Sequence, residues 1–290
     1  MFKGALTALI TPFRDGAVDV PALRELIEWQ IQSGIDGLFP CGSTGESATL
    51  THAEHDNVVK LTVEQARKRV PVLAGTGSNS TAEAIRLTAA AREMGADGAV
   101  LLSPYYNKPT QDGIFRHYKT IAASVDLPLF VYNIPGRTAS NIAPETFARL
   151  SEIKNIVGIK EASGSMDQSS DILKMCGDRL AIFSGDDALT VPLIALGAKG
   201  VMSTCSNIVP TRMHDLATAA FAGDFVKARE IHFRLLPLMR ALFLETNPIP
   251  IKQALAFMGK CANELRMPLL PMTAGPAERL RVAMKELRLV

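Results

Sequence analysis

Gly34-Ile35-Asp36-Gly37-Leu38-Phe39 recurs as Gly95-Ala96-Asp97-Gly98-Ala99-Val100 and again as Gly197-Ala198-Lys199-Gly200-Val201-Met202. Each copy follows an amphipathic helical stretch and opens a short apolar run. The first glycine suits a helix C-cap with φ > 0, and the second permits a tight turn into a strand. A helix-to-strand joint used three times predicts a repeated βα architecture.

The apolar runs extend that rhythm. Strands are expected near 5–10, 37–41, 71–75, 98–102, 128–133, 156–160, 180–184 and 200–204, with helix-period segments between them. The clearest helix carries Leu23, Leu26, Ile27 and Ile31, has Asp19 as N-cap and ends at Gly34. Eight continuous apolar strands alternating with helices favour a closed parallel (β/α)8 TIM barrel. A doubly wound open sheet is the alternative, and the absence of GxGxxG after the first strand counts against its dinucleotide-binding form. After about residue 223 the rhythm stops. Helical stretches follow from Asp224, between Pro250 and Gly259, and around Leu280, Ala283, Met284 and Leu287. The expected organisation is a catalytic barrel over 1–222 and a C-terminal helical region over 223–290.

With 290 residues, 47% of them hydrophobic, the chain can bury a sizeable core. Its 31 basic and 29 acidic residues leave a net charge of +2 and form no run of like sign, so neither nucleic acid nor an anionic membrane is an expected partner. The apolar stretch Ala5–Ile10 is too short and too lightly charged for a signal peptide, and no run approaches the ~18 residues that span a bilayer. Cys41, Cys176, Cys205 and Cys261 are far apart without CxxC spacing, which suits free thiols in a reducing compartment. A cytoplasmic protein is expected.

In a barrel, reactive groups sit at the C-terminal ends of the strands. Those ends carry Gly42-Ser43-Thr44-Gly45-Glu46, Ser103-Pro104-Tyr105-Tyr106-Asn107, Tyr132-Asn133-Ile134-Pro135-Gly136-Arg137-Thr138, and Lys160 within Ile156-Val157-Gly158-Ile159-Lys160-Glu161. Lysine is seldom buried, yet Lys160 closes a strand expected to be covered on both faces. Strand alternation puts it on the side of Gly158, opposite Val157 and Ile159; if that bulky pair faces the helices, the ammonium points into the barrel mouth. An unperturbed lysine is neutral in only roughly one molecule in 2,500 at pH 7, but burial lowers its pKa enough to make it a nucleophile toward a carbonyl. The plainer reading is a strand-end lysine snorkelling to solvent.

Thr44, Tyr132 and Tyr106 could pass protons between carbinolamine, imine and enamine, since each hydroxyl both donates and accepts. Taken singly, each has an ordinary packing or loop explanation. GSTGE lacks the P-loop lysine, so it is weak evidence for phosphate. Arg137, on a rigid turn over the mouth, suits a substrate carboxylate, although a surface arginine is the default. His52 and His55 share a helix face but lack HExxH and a third ligand. No metal and no cofactor are expected, and carbonyl activation falls to the lysine.

Thr11-Pro12-Phe13 with Asp15-Gly16, GSTGES at 42–47, SPYYNKPTQ at 103–111, YNIPGRT at 132–138 and GIKEAS at 158–163 together resemble the dihydrodipicolinate synthases. These belong to the pyruvate-dependent class I aldolase superfamily, which includes N-acetylneuraminate lyase. The resemblance runs along the whole chain. It implies a (β/α)8 barrel, normally a homotetramer, that condenses pyruvate with L-aspartate 4-semialdehyde to 4-hydroxy-tetrahydrodipicolinate on the route to diaminopimelate and lysine. It implies Lys160 as Schiff-base residue, Tyr132 as general acid/base, and a relay completed by Thr44 and by Tyr106 across a dimer interface. Ser43 and Thr44, with backbone help near Met202, would hold the pyruvate carboxylate, and Arg137 that of the semialdehyde. Ser43 departs from the threonine of many members, and Met202 from a β-branched residue.

The resemblance also implies feedback inhibition by L-lysine. Ser47, Ala48, His52, His55, Asn79, Glu83 and Tyr105 match the inhibitor site of the regulated members. Glu83 is expected to pair with the inhibitor's α-ammonium, and Asn79 and Tyr105 to bind its carboxylate; without the resemblance His52 and His55 are exposed helix residues. Two alternatives differ in kind. One is another pyruvate aldolase or lyase acting on sugar acids, against which Arg137 speaks. The other is a catalytically silent keto-acid or amino-acid sensor, against which the joint presence of Lys160, Tyr132, Tyr106 and Thr44 speaks.

Overall fold

A computed structural model describes residues 2–290. The chain runs β1 (Gly4–Ala8), the ribbon β2 (Phe13–Arg14) and β3 (Ala17–Val18), α1 (Val20–Gln32), β4 (Gly37–Phe39), α2 (His52–Ala66), β5 (Leu73–Gly75) and α3 (Thr81–Glu93). It continues through β6 (Gly98–Leu102), α4 (Gln111–Ser124), β7 (Leu129–Asn133), α5 (Pro135–Thr138), α6 (Pro144–Leu150), β8 (Ile156–Glu161), α7 (Met166–Cys176) and β9 (Ala181–Ser184). It ends with α8 (Thr190–Ala195), β10 (Gly200–Ser203), α9 (Pro210–Phe221), α10 (Phe225–Ala241), α11 (Ile249–Phe257) and α12 (Ala274–Glu286).

Eight strands form one parallel sheet in the order β4-β1-β10-β9-β8-β7-β6-β5. A parallel bridge between Leu38 and Val72, with Leu38 N–H donating to Pro71 O at 2.9 Å, joins the two ends and closes the barrel. Each of the eight expected strands falls on an observed one, with ends displaced by no more than two residues. The β2–β3 ribbon was not anticipated, because two-residue strands leave no periodicity.

The repeated phrase does two jobs. Gly34, Gly95 and Gly197 have φ of +82°, +84° and +112°, as a left-handed C-cap requires. The second glycine is needed for close approach rather than for a turn: a Cβ on Gly37 would lie 2.7 Å from the Leu6 side chain, and one on Gly200 only 1.8 Å from Gly4 O. The intervening aspartates cap the neighbouring strand, Asp36 accepting from Ala5 N at 2.8 Å and Asp97 from Val72 N at 2.9 Å. Asp19 accepts from Ala22 N at 3.1 Å and caps α1 as expected.

Leu6, Phe39, Leu73, Val100, Phe130, Phe183 and Met202 fill the barrel interior. The expected orientation of Val157 is wrong. Leu129 pairs with Ile156 but Phe130 with Gly158, so Val157 is an extra residue in β8 and packs on the interior cluster instead of on the helices. This bulge resets the alternation, leaving Ile159 outward and Lys160 inward. Outside the barrel, α10, α11 and α12 share one apolar cluster with α1, α2 and α9, through Leu235, Ile251, Leu255 and Leu280 among others. Among the described residues no helix is long and apolar enough to cross a membrane.

Candidate active site

Lys160 and Tyr132 are register partners on β8 and β7. Lys160 Nζ lies 4.3 Å from the centre of the Tyr132 ring and 4.9 Å from that of Phe39, and the residue is only 5% exposed. It joins none of the ion pairs found among the described residues. Burial drives its ammonium down to about 7; the Asp187 charge opposes this and the Arg137 charge adds to it. The lysine therefore does not snorkel. It is a desolvated amine between aromatic faces, present in substantial part as free base near neutrality.

The space beside it is set by backbone. A Cβ on Gly158 would fall 2.2 Å from the Phe130 ring, and one on Gly185 3.1 Å from Lys160 Cε, so both glycines let bulk close around the lysine stem. Burial pushes the Tyr132 hydroxyl up to about 12, while the Arg137 charge and a hydrogen bond with Ser43 act against it. The phenol is therefore protonated at neutral pH and can donate to an oxygen formed next to Lys160.

Thr44 is buried, and its Oγ1 accepts from Asn247 Nδ2 at 2.9 Å. That bond occupies a lone pair of Thr44 and leaves its own O–H free to donate onward. Asn247 also receives Arg137 Nη2 on its backbone oxygen at 2.9 Å, while its own Oδ1 is buried without a partner. One residue thus joins the Thr44 loop to the exposed arginine over the mouth. Sequence reasoning saw Asn247-Pro248 only as helix punctuation, and nothing local marks it as part of the site. Asp187 was missed as well. It is buried, accepts from Thr204 N and Cys205 N at 3.1 and 2.8 Å at the end of β10, and leaves Oδ1 unpartnered. Burial raises its carboxyl to about 6, against a hydrogen bond from Ser203.

The structure brings Lys160, Tyr132, Ser43, Thr44 and Arg137 to one end of the barrel. Met202 lies beside them as a fully buried wall, paired with Leu6. Tyr106 stands apart. It has φ +72°, is 88% exposed and points away from its own chain's packing.

The expected inhibitor residues largely converge. Ser47, Ala48, His52, His55, Glu83 and Tyr105 line a cavity of about 450 Å³ that also reaches Ser43 and Arg137. Asn79 is not in that lining; its Nδ2 donates to Tyr105 O at 3.2 Å and so holds the tyrosine loop from behind. His55 is not the exposed residue expected. It is buried, and its Nε2 donates to Gly75 O at 2.7 Å. Nor is the Glu83 carboxylate free: it accepts from Ser78 Oγ and pairs with His52 Nε2 at 2.9 Å, and both contacts hold its pKa below the usual carboxylate value.

The fold and the site together define a barrel lyase of the Schiff-base, carbonyl-condensing type. Residues 1–287 match the model of the "Dihydrodipicolinate synthetase family", and the chain belongs to that family. It is 55% identical over its whole length, and over the whole of the relative, to 4-hydroxy-tetrahydrodipicolinate synthase of Syntrophus aciditrophicus. Its structure is similar to that of the chloride-inhibited dihydrodipicolinate synthase from Acinetobacter baumannii complexed with pyruvate, with TM-score 0.99, 43% identity and 100% of each chain covered. It is also similar to the enzyme from Cyanidioschyzon merolae with lysine bound, with TM-score 0.97, 40% identity, and 100% and 99% of the two chains covered.

Proposed function

We propose that this chain condenses pyruvate with L-aspartate 4-semialdehyde through a Schiff base on Lys160. The free amine of Lys160 attacks C2 of pyruvate, and the keto oxygen takes a proton from Tyr132 to become a hydroxyl. Water then leaves to give the imine, and loss of a C3 proton gives the enamine. C3 attacks the aldehyde carbon, whose oxygen is protonated through Tyr132 and Thr44. The amine of the former semialdehyde attacks C2, closes the ring and expels Lys160 as an amine. Ser43 and Thr44, with the backbone near Met202, hold the pyruvate carboxylate, and Arg137 holds that of the semialdehyde. The observation that carries this reading is a buried lysine without a carboxylate partner, packed between Tyr132 and Phe39. The pyruvate complex of the Acinetobacter baumannii relative supports the first substrate.

On the same reading Tyr106 completes the relay of a second copy of the chain in a homotetramer, since its own chain leaves it almost fully exposed. The outer cavity takes L-lysine, as the lysine-bound Cyanidioschyzon merolae relative supports. The inhibitor's ammonium must compete with His52 for Glu83. Four cysteines without a disulfide suit a cytoplasmic enzyme. The test offers the purified protein pyruvate with a panel of aldehydes. Consumption of aspartate semialdehyde over sugar aldehydes is expected; the reverse preference overturns the reading.

A further inference from the structure

Lys252, on α11, is the most deeply buried charge in the C-terminal region, with 0% of its surface exposed. Its ammonium pairs with Glu46 and donates to Glu264 O at 2.8 Å, and it lies 3.9 Å from the centre of the Phe13 ring. Glu46 sits two residues beyond Thr44, in the left-handed region at φ +52°, a strained position for a side-chain-bearing residue. Its second carboxylate oxygen accepts from Arg266 N at 3.1 Å. Within the turn, Glu46 N donates to Ser43 O at 3.2 Å and Gly45 N to Gly42 O at 3.0 Å. Ser43, Thr44 and Glu46 are therefore parts of one rigid piece of backbone.

We propose that Lys252 is a positioning residue for the reaction: through Glu46 it fixes the turn that aims the Ser43 and Thr44 hydroxyls at the pyruvate carboxylate. This rests on the reading of Ser43 and Thr44 given above. The turn is pinned from the opposite side by Thr11 Oγ1 donating to Gly45 O at 2.7 Å and by Asn247 on Thr44. Asn247 lies just before α11, and Lys252 lies on it. The chain entering α11 and the helix itself thus hold the two ends of the Thr44–Glu46 segment. An ion pair is a poor source of net stability at a dry site, where apolar side chains of like volume serve as well; the role proposed for this one is to set a single geometry for the turn. Arg137 hangs on α5 and is tied to the backbone oxygen of Asn247 rather than to the Ser43–Glu46 turn itself, so loosening that turn acts first on the two hydroxyls and only through Asn247 on the arginine.

The experiment compares the double variant Lys252→Met/Glu46→Gln, which leaves no unpaired buried charge, with Ser43→Ala and Thr44→Val. Each is assayed at the concentration of sites titrated by pyruvate and borohydride. The double variant is expected to raise KM for pyruvate about tenfold while KM for the semialdehyde stays within about twofold. Equal change in both constants, or none, overturns the proposal, because a purely structural clamp lowers thermal stability and active-site yield without separating the substrates. If Ser43→Ala and Thr44→Val also leave KM for pyruvate unmoved, the reading of those hydroxyls falls and the proposal falls with it. If they raise it and the double variant does not, the positioning role alone is overturned.

Discussion

Two buried lysines divide this molecule into two kinds of interior. At the barrel mouth, Lys160 is enclosed by the Tyr132 and Phe39 rings and has no carboxylate in contact. In the C-terminal clamp, Lys252 also lies over an aromatic ring but is paired with Glu46. Burial lowers both pKa values; only for Lys252 does a directly bonded carboxylate work against it. The lesson is that desolvation alone does not make a lysine a nucleophile. The missing partner matters too, because a paired ammonium is held in its protonated form and frees its electron pair only by losing a proton and breaking the ion pair.

Chemistry breaks or upholds this contrast most directly. Pyruvate with borohydride is expected to label Lys160 alone among the thirteen lysines. Lys160→Ala should keep the fold and lose roughly 10⁴-fold or more of turnover. Peptide mapping that found the adduct on Lys252 would end the comparison.

Stability should move in opposite directions. Lys252→Met leaves the Glu46 carboxylate buried and unpaired and is expected to cost about 3–5 kcal/mol. Lys160→Met relieves an unpaired amine, and its thermal midpoint at pH 7 should rise, each kcal/mol gained being worth about 2–4 °C in a chain of this size. Between pH 10.5 and about 7 the unfolded chain holds a proton on Lys160 that the folded chain does not. The cost of burying Lys160 is thus absent above that window and complete below it. The gain on substitution should shrink as pH rises toward 10, and calorimetry across the window measures it.

Arg137→Ala should weaken use of the semialdehyde by about 1.5–3 kcal/mol, or roughly 10- to 150-fold, and pyruvate far less. Steady-state kinetics with each substrate varied in turn decide this; equal damage to both would make the arginine structural. The pH response is gentler. Schiff-base formation should be near its plateau above pH 8 and fall roughly tenfold per unit well below the Lys160 value of about 7. Single-turnover trapping measures that limb, and a limb near 10 would show that Lys160 is not desolvated in solution. The smallest effect concerns the outer cavity. Glu83→Ala should abolish inhibition by L-lysine while keeping most activity, and calorimetry that detects no lysine binding at millimolar concentration would remove the inhibitor from the picture.

How much of this was legible follows from what is local. The C-cap glycines, the Asp19 cap and the eight apolar runs are set by contacts a few residues apart, so they read directly from the chain. Lys160 stood out for a similar reason: a charged residue ending an apolar strand is a local anomaly. Its inward direction was expected on strict alternation, but the structure reaches it through a bulge at Val157, whose cause lies in the register with β7. His55 read as a surface helix residue because its partner, Gly75 O, is on β5, twenty residues further along the chain.

By itself the sequence determined the βα rhythm, the closed parallel barrel and the set of hydroxyls and cations at its mouth, since each depends on hydrophobic period or on a group's intrinsic chemistry. Only the tertiary structure decided which of those groups are engaged and by what. Asn247 meets Thr44 across 203 residues, and Lys252 meets Glu46 across 206, from a part of the chain with no βα signal. Such pairs leave no trace in periodicity. A buried charge or amide is assigned its role by the partner that replaces its water, and that partner is chosen by folding.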